Sequence, residues 1–426
     1  MGLAVEMLAY LWNPSQERFS RGVRTRLRMG LAGWAFLTLG GWSLAQTTIL
    51  FWHSQVATED VIEEFAEAFN AQQDDYRVVP RYVGPYQEGA IRLVNAMRGG
   101  EVPALFDAEL TLFLRLHFEG VLQDLRPLTD ELPSPLLDDL QPAMWSVGEI
   151  DGARYGLPWH MSVPILAYNA NVFSQLGVEP PSTWEEFEQV AQDVTTRNAK
   201  GFVDVAVAFL FEAQVLSRGG TLVSETGEPR FVSDEAIAAL EMSQRLADAG
   251  ASIPRSFGSV DQALVDFVRG RVMMAFSSEA FIPSGERFTA AFELGTAPLP
   301  RDSEGHVPFT GGQLVIPTTA SEAERDGAFA FWQFLMQPDN VETWVRASYF
   351  LPVLQSVEAR LGSWYAENPN RGAGVAQLDV AVLRPRTPAY ALWQTFLEEG
   401  IERATIGGMD AEAALQEVQR RALAPQ

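Results

Sequence analysis

The sequence predicts an α/β protein with more than one unit, and three observations carry that expectation. Its 426 residues correspond to two or three domains of ordinary size, and a hydrophobic content of 47% supplies sizeable cores. Between residues 47 and 108, strand-like and helix-like patterns alternate as β-α-β-α-β, the rhythm of a mostly parallel sheet with helices on its faces. Further strand and helix patterns follow without a long polar linker, an internal repeat or a low-complexity tract, so the chain is expected to cross between its units more than once.

Residues 1–45 read differently from the rest. Arg18, Arg21, Arg24, Arg26 and Arg28 precede a largely apolar run from Met29 to Leu44, and Ser43-Leu44-Ala45 places small residues two apart. This is the pattern of a secretory signal peptide cleaved after Ala45, with a later start at Met29 and retention as an anchor as the alternatives. Removing its five Arg and two Glu takes the formal charge from −24 to −27, leaving an exported, acidic, soluble protein.

The elements follow in order. TTILFWHS (47–54) is a β-rich apolar run suited to a buried strand. Thr58 then precedes Val61, Ile62, Phe65 and Phe69, whose three- and four-residue spacing forms one helix face. Tyr76 to Tyr82 alternates as a strand; Ile91, Leu93, Val94 and Met97 mark a second helix, and Ala104 to Ala108 a third strand. Gly156-Leu157-Pro158 interrupts the pattern before the apolar run Val163–Tyr168, and a helix over 182–194 opens on Ser182 with Glu185 as its capping box. Further strands are expected at Phe202–Phe211, Val272–Phe276, Leu294–Pro298 and Gln313–Ile316. Helices are expected at 234–248, 259–269, 320–336, 339–346, 388–405 and 410–422.

Composition removes several function classes. With 31 Lys+Arg against 55 Asp+Glu, the long-range field repels nucleic-acid phosphates and anionic membranes. Zero cysteines exclude disulfides, thiolate metal sites, thiol nucleophiles and a lipid-anchor cysteine. The four histidines, His53, His117, His160 and His306, have no metal-ligand spacing, and no HExxH, GxSxG or phosphate-binding loop is present, so no cofactor or metal is expected. Thirty of the 31 basic residues are Arg, which GC-rich coding explains more simply than function.

YGLPWHMSVPILAYNANVF (155–173) followed by PPSTWEEF (180–187) resembles the extracellular solute-binding proteins of ATP-driven (ABC) importers, the class that contains maltose-binding protein. TTILFWHS (47–54), RYVGPYQEG (81–89), SYFLPV (348–353) and IERATIGGMDAEAALQEV (401–418) are most similar to its glycerol-3-phosphate-binding members. The resemblance implies a two-lobed periplasmic-binding-protein fold with a ligand cleft between the lobes and multiple hinge crossings, near Trp159 to Val163 and between Pro298 and Phe309. It places 46–160 and 309–352 in lobe 1, and 161–308 and 353–426 in lobe 2. It also implies a monomeric, non-enzymatic binder in the periplasm that captures a small-molecule ligand, a glycerol phosphate derivative or a sugar, and presents it to an ABC transporter membrane permease. A glycerophosphodiester is favoured over glycerol-3-phosphate, with a di- or oligosaccharide as the alternative. A secreted glycosidase would need two carboxylates about 5 to 10 Å apart across the cleft, and Glu109 is the one cleft acid the sequence places. A holdase or scaffold would have no saturable small-ligand site.

Candidate ligand residues follow. Tyr86 lies in a Gly-Pro-Tyr turn, as a polyol-binding ring or a buried Tyr. Glu109 ends a strand, where a carboxylate can accept from vicinal hydroxyls; by resemblance it is the polyol-binding Glu. Trp159 and His160 stand at the first crossing, either stacking on a sugar or packing between lobes. By resemblance Ser162 contacts phosphate. Ser277 and Ser278 offer hydroxyls at a strand end, or an ordinary helix cap. Gly311 and Gly312 offer free amides, or a simple turn. Phe350 stands where the family has a Tyr, with the loss of one hydroxyl. Gln394 is aligned with the family's phosphate-binding Arg, and Trp393 with a sugar-stacking Trp. Arg384 and Arg386 are potential substitutes for the lost cation, although surface solvation is the simpler expectation for both.

Overall fold

The protein is described here by a computed structural model covering residues 46–289 and 292–424. The basic and apolar segment 1–45 read as a signal lies outside the described residues. The strands in chain order are β1 (Thr47–His53), β2 (Tyr76–Tyr82), β3 (Leu105–Glu109), β4 (Glu149–Ile150), β5 (Ala153–Arg154), β6 (Leu157–Ser162), β7 (Pro164–Asn169) and β8 (Lys200–Val205), then β9 (Ser252–Arg255), β10 (Val272–Ser278), β11 (Leu294–Pro298), β12 (Val307–Pro308), β13 (Thr310–Val315) and β14 (Ala381–Val382). Two five-stranded sheets result, ordered β2-β1-β3-β13-β6 and β11-β7-β10-β8-β9, with the small pairs β12-β14 and β4-β5 beside them.

The expected α/β architecture is present. In the first sheet β1 runs parallel to β2 and β3, while β13 is antiparallel to β3 and β6. The carboxyl ends of β1, β3 and β6 therefore share one edge with the start of β13. In the second sheet β10, β8 and β9 are parallel, and β7 and β11 join antiparallel. The chain passes from one sheet to the other at Val163, between β6 and β7, and returns between Pro298 and Thr310. After Val353 it first stays near its earlier residues: Gln355 donates to the Asp138 carbonyl at 3.0 Å and the Ser356 amide to Asp139 Oδ1 at 2.7 Å. It then reaches the second sheet, where Asn370 Oδ1 accepts from the Thr296 amide at 2.9 Å.

The helix Glu59–Gln72 buries Ile62, Phe65, Ala66 and Phe69, as its spacing requires. Against β1 and β6 the aromatic core stacks Trp159 on Trp344 with ring centroids 4.8 Å apart, and Phe51 meets the edge of Trp159. Trp332 donates its indole N–H to the Pro158 carbonyl at 3.0 Å.

Several local expectations are corrected. Gly156-Leu157-Pro158 does not break the pattern, because Leu157 and Pro158 begin β6, an edge strand of its sheet, where a missing N–H leaves no ladder bond unmade. The capping box is Thr183 with Glu186, one residue later than Ser182 with Glu185; Ser182 supplies an additional hydroxyl to Glu186 at 2.8 Å. Phe202–Phe211 is not one strand: β8 ends at Val205 and the helix Ala208–Leu216 begins, since a continuous apolar run carries no period to separate strand from buried helix. Ile91, counted on an apolar face, is 62% exposed. Ser277 and Ser278 end β10; Ser278 stands at the N-cap position of the 3-10 turn Glu279–Phe281 but makes no side-chain cap bond. The helices Leu110–Phe118 and Gln355–Glu367 were not foreseen; the second buries only Val357 and Leu361, too few apolar positions to display a period.

Gly201 shows how closely helix and sheet approach. A Cβ there would lie 1.8 Å from the Ala191 carbonyl oxygen on the helix Trp184–Asp193. Gly201→Ala is expected to force β8 from that helix and cost about 1–3 kcal/mol, read as a lower urea midpoint at unchanged m.

Candidate functional site

The strand ends of both sheets converge on a cleft of about 440 Å³. Tyr86, Glu109, Ser162, Ser278, Gly311, Phe350 and Gln394 all line it. Tyr86 opens the helix Tyr86–Met97 and its hydroxyl receives a bond from Gln55 Nε2 at 2.6 Å. Glu109, at the end of β3, caps the helix Leu110–Phe118 by accepting the amides of Thr111 at 2.9 Å and Leu112 at 3.3 Å. Its carboxylate stays a quarter exposed toward the cleft. Gln394 and Glu398, four residues apart on the helix Tyr390–Thr405, share one helix face along the wall.

Four candidates lie elsewhere. Trp159 is buried in the aromatic core, so core packing accounts for it. Trp393 is also buried, edge-on to Phe231, with Leu397 and Ile401 in the helical core beneath the cleft wall. It offers no stacking face to a ligand, because the phase of its helix turns Gln394 outward and Trp393 inward. His160 is fully buried below Tyr86, with which it stacks. Gly312 lies within β13, where a Cβ would come 2.6 Å from the His160 ring, so it is needed for close packing. Its neighbour Gly311 adopts φ +103°, a left-handed value that glycine tolerates.

Beneath Tyr86 runs a buried polar network that sequence reasoning missed. His160 Nε2 lies 2.5 Å from Asp107 Oδ1, and Gln55 Nε2 bonds Asp107 Oδ2 at 3.0 Å as well as the Tyr86 hydroxyl. Burial pushes the Asp107 carboxyl up, but the His160 ring, its hydrogen bond and that of Gln55 together hold it below the usual range. Burial brings His53, beside this network, down to about 4. An acid in the middle of the buried strand LFDAE, two residues before Glu109 at its end, was the available signal for Asp107.

The larger correction concerns charge. Arg384, expected at the surface, lines the cleft with its side chain only 8% exposed. Its Nε donates to Glu212 Oε2 at 2.9 Å, Nη1 lies 3.9 Å from Glu109 Oε1, and buried Nη2 has no protein partner. Burial lowers its pKa, but Glu212, with Tyr390 and Glu109, more than offsets this and keeps it firmly charged. The site therefore has a cation, from the segment before the helix rather than from position 394. Arg386, half-buried, is tied down rather than free: it donates to main-chain oxygens of Ser146, Val147 and Glu149. Glu398 accepts the Ala208 amide at 3.4 Å and is pushed up to about 7, chiefly by burial. Among the described residues no group of three or more His, Asp or Glu could hold a metal ion.

Ser162, at the crossing between the sheets, donates its hydroxyl to Glu279, whose Oε2 also accepts the Val163 amide at 3.0 Å. Burial pushes Glu279 up to about 7 from 4.5. A raised folded pKa means that this stabilising contribution is complete below 4.5 and is lost as pH rises through 7, by about 3 kcal/mol at most. Glu279→Gln lacks this loss. Its urea midpoint is expected to gain on the wild type between pH 4.5 and 8; a constant difference would place Glu279 in water.

Residues 64–373 match the family model described as bacterial extracellular solute-binding protein. The sn-glycerol-3-phosphate-binding periplasmic protein UgpB of Agrobacterium fabrum is 25% identical over 418 residues, covering 89% of this chain and 92% of that protein. The UgpB of Escherichia coli K12 is 23% identical over 376 residues, 80% and 83% of the two chains. Among solved structures, UgpB from Mycobacterium tuberculosis in complex with glycerophosphocholine has a TM-score of 0.79 at 21% identity, over 88% of this chain and 98% of that one. The cyclic alpha-maltosyl-1,6-maltose binding protein from Arthrobacter globiformis has a TM-score of 0.77 at 24% identity, over 89% and 98%. These two likenesses concern the fold, whereas the family match spans most of the sequence: the chain belongs to the bacterial extracellular solute-binding proteins.

Proposed function

We propose that the protein is the substrate-binding component of an ABC importer, working outside the cytoplasmic membrane as a monomer, and that its ligand is a glycerol-phosphate-type solute. The carrying observation is Arg384, a largely buried guanidinium lining a cleft that also presents hydroxyls, carboxyls and main-chain groups. A guanidinium matches phosphate oxygens, while Glu109 and Tyr86 suit glycerol hydroxyls and Ser278 and Gly311 add neutral donors; Ser162, whose hydroxyl is donated to Glu279, can only accept. The relatives named as glycerol-3-phosphate binders, and the glycerophosphocholine complex, support the same chemistry.

Charge favours a phosphodiester over the monoester. Arg384 stands between Glu212 and Glu109, and Glu398 adds a third carboxyl to the wall. The two arginines of the lining are already paired, Arg384 with Glu212 and Arg115 with Glu119, so the cleft tolerates the single charge of a diester better than the dianion of glycerol-3-phosphate. The aromatic faces of Tyr86, Phe209 and Phe350 favour a di- or oligosaccharide as the second reading, although Trp393 adds nothing to it. In either case the protein performs no chemistry. The lobes proposed are 46–160 with 309–352 and 161–308 with 353–426; they close about Val163 and the 298–310 crossing, and the closed form is presented to a membrane permease. Ligand drives closure through contacts made only when both lobes engage it.

The test is a thermal-shift and calorimetric series with glycerol-3-phosphate, glycerophosphocholine and maltose. A diester at 100 times its dissociation constant should add roughly 2.7 kcal/mol of apparent stability. Glu109→Gln should weaken its binding by about 1–3 kcal/mol. Arg384→Lys, which keeps the charge but loses the planar fork, should weaken it while leaving any maltose binding unchanged. Stabilisation by maltose alone would overturn the glycerol-phosphate reading.

A further inference from the structure

Arg384 and Arg386 lie on the segment between β14 and the helix Tyr390–Thr405. This segment is a thin strap rather than a packed element. On one face Arg384 borders the ligand cleft; on the other Leu383, Pro385, Arg386 and Thr387 line a second cavity of about 290 Å³. With a void behind it, the strap owes its position to its fastenings. At its start Val382 accepts the Phe309 amide at 2.9 Å within the β12-β14 pair.

The next fastening is Arg386. Its guanidinium gathers the carbonyls of Ser146 at 2.8 Å, Val147 at 3.2 Å and Glu149, at the carboxyl end of the helix Pro142–Val147. The first two belong to the last turn of that helix, whose carboxyl end favours a cation. Arg154 already bonds the Trp145 carbonyl beside them at 2.8 Å, so a second guanidinium is brought in against like charge. The helix belongs to the side of the first sheet, whereas Arg384 grips Glu212 on the helix Ala208–Leu216. The strap is thus tied across the cleft. Pro385, between the arginines, and Pro388 restrict the backbone, so displacement at 386 is passed to 384 with little slack.

We infer that Arg386, which does not line the cleft, is a positioning residue that sets where the Arg384 guanidinium meets the anionic part of the ligand. The inference rests on Arg384 as the ligand's cation. Its specific consequence is that Arg386 affects affinity only through Arg384.

A double-mutant cycle reads that consequence. Glycerophosphocholine is titrated calorimetrically into the wild type, Arg386→Ala, Arg384→Lys and the double variant, each checked for an unchanged far-UV spectrum. Arg386→Ala should weaken binding about tenfold, and the double variant should lose no more than Arg384→Lys alone. Pro385→Gly, which loosens the strap without removing either arginine's hydrogen bonds, should reproduce the loss and decides the matter if Arg386→Ala does not fold. Unchanged affinity in Arg386→Ala or Pro385→Gly, or additive losses in the cycle, would overturn the inference alone. Failure of the wild type to bind glycerophosphocholine would overturn the ligand reading and the inference with it.

Discussion

The contact between Asp107 and His160 is the constraint around which the cleft floor is arranged. Both side chains are removed from water, and burying a carboxylate at that depth is costly unless its oxygens find partners. Gln55 supplies one, bonding the second carboxylate oxygen and carrying the network to the Tyr86 hydroxyl. The amide of Ser54 approaches the same oxygen at 3.4 Å. Residues just beyond β1, within β3 and within β6 are thereby held at one level, the edge where the first sheet meets the ligand. Gly312 is part of the same solution, since β13 must pass against the imidazole with no side chain between them.

The second sheet is joined to this floor by a different device. Glu279, just past β10, reaches the crossing strand and accepts both the Ser162 hydroxyl and the Val163 amide. A residue that lines the cleft is therefore also held by the acid that fastens the crossing. Gly374 makes room for that acid: a Cβ there would fall on Glu279 Oε1. The same few side chains thus line the cleft and hold the crossing between the two sheets.

The electrostatics separate into two scales. A formal charge of −24 governs what approaches the protein from afar. Inside the cleft the deciding charge is Arg384, whose partners Glu212 and Glu109 come from opposite sides of the cleft. Arg384 and Glu212 are largely removed from water, so their interaction at short range outweighs the distant acidic surface.

The β-α-β-α-β order of residues 47–108 and the placement of Glu109 and Ser278 at strand ends and of Tyr86 in the turn before a helix were legible in the sequence, because each rests on local periodicity or on position relative to an element end; the family and Ser162 came from the motif resemblance. Element phase and long-range packing were not. Whether Trp393 or Gln394 faces the cleft depends on the rotation of one helix against the core formed by Phe231 and the helix Ala411–Leu423, which lie far away in sequence or beyond it. Asp107, Gln55 and His160 are separated by as many as 105 residues and meet only when the first sheet assembles. Arg384 looked like a solvated cation because its partners, Glu212 and Glu109, are 172 and 275 residues away; 172 is the separation across its hydrogen bond, and 275 follows from the numbering. Chain neighbours determine whether a segment can be a strand or a helix, while the burial and pairing of a charge are decided by whichever distant groups the tertiary fold brings beside it.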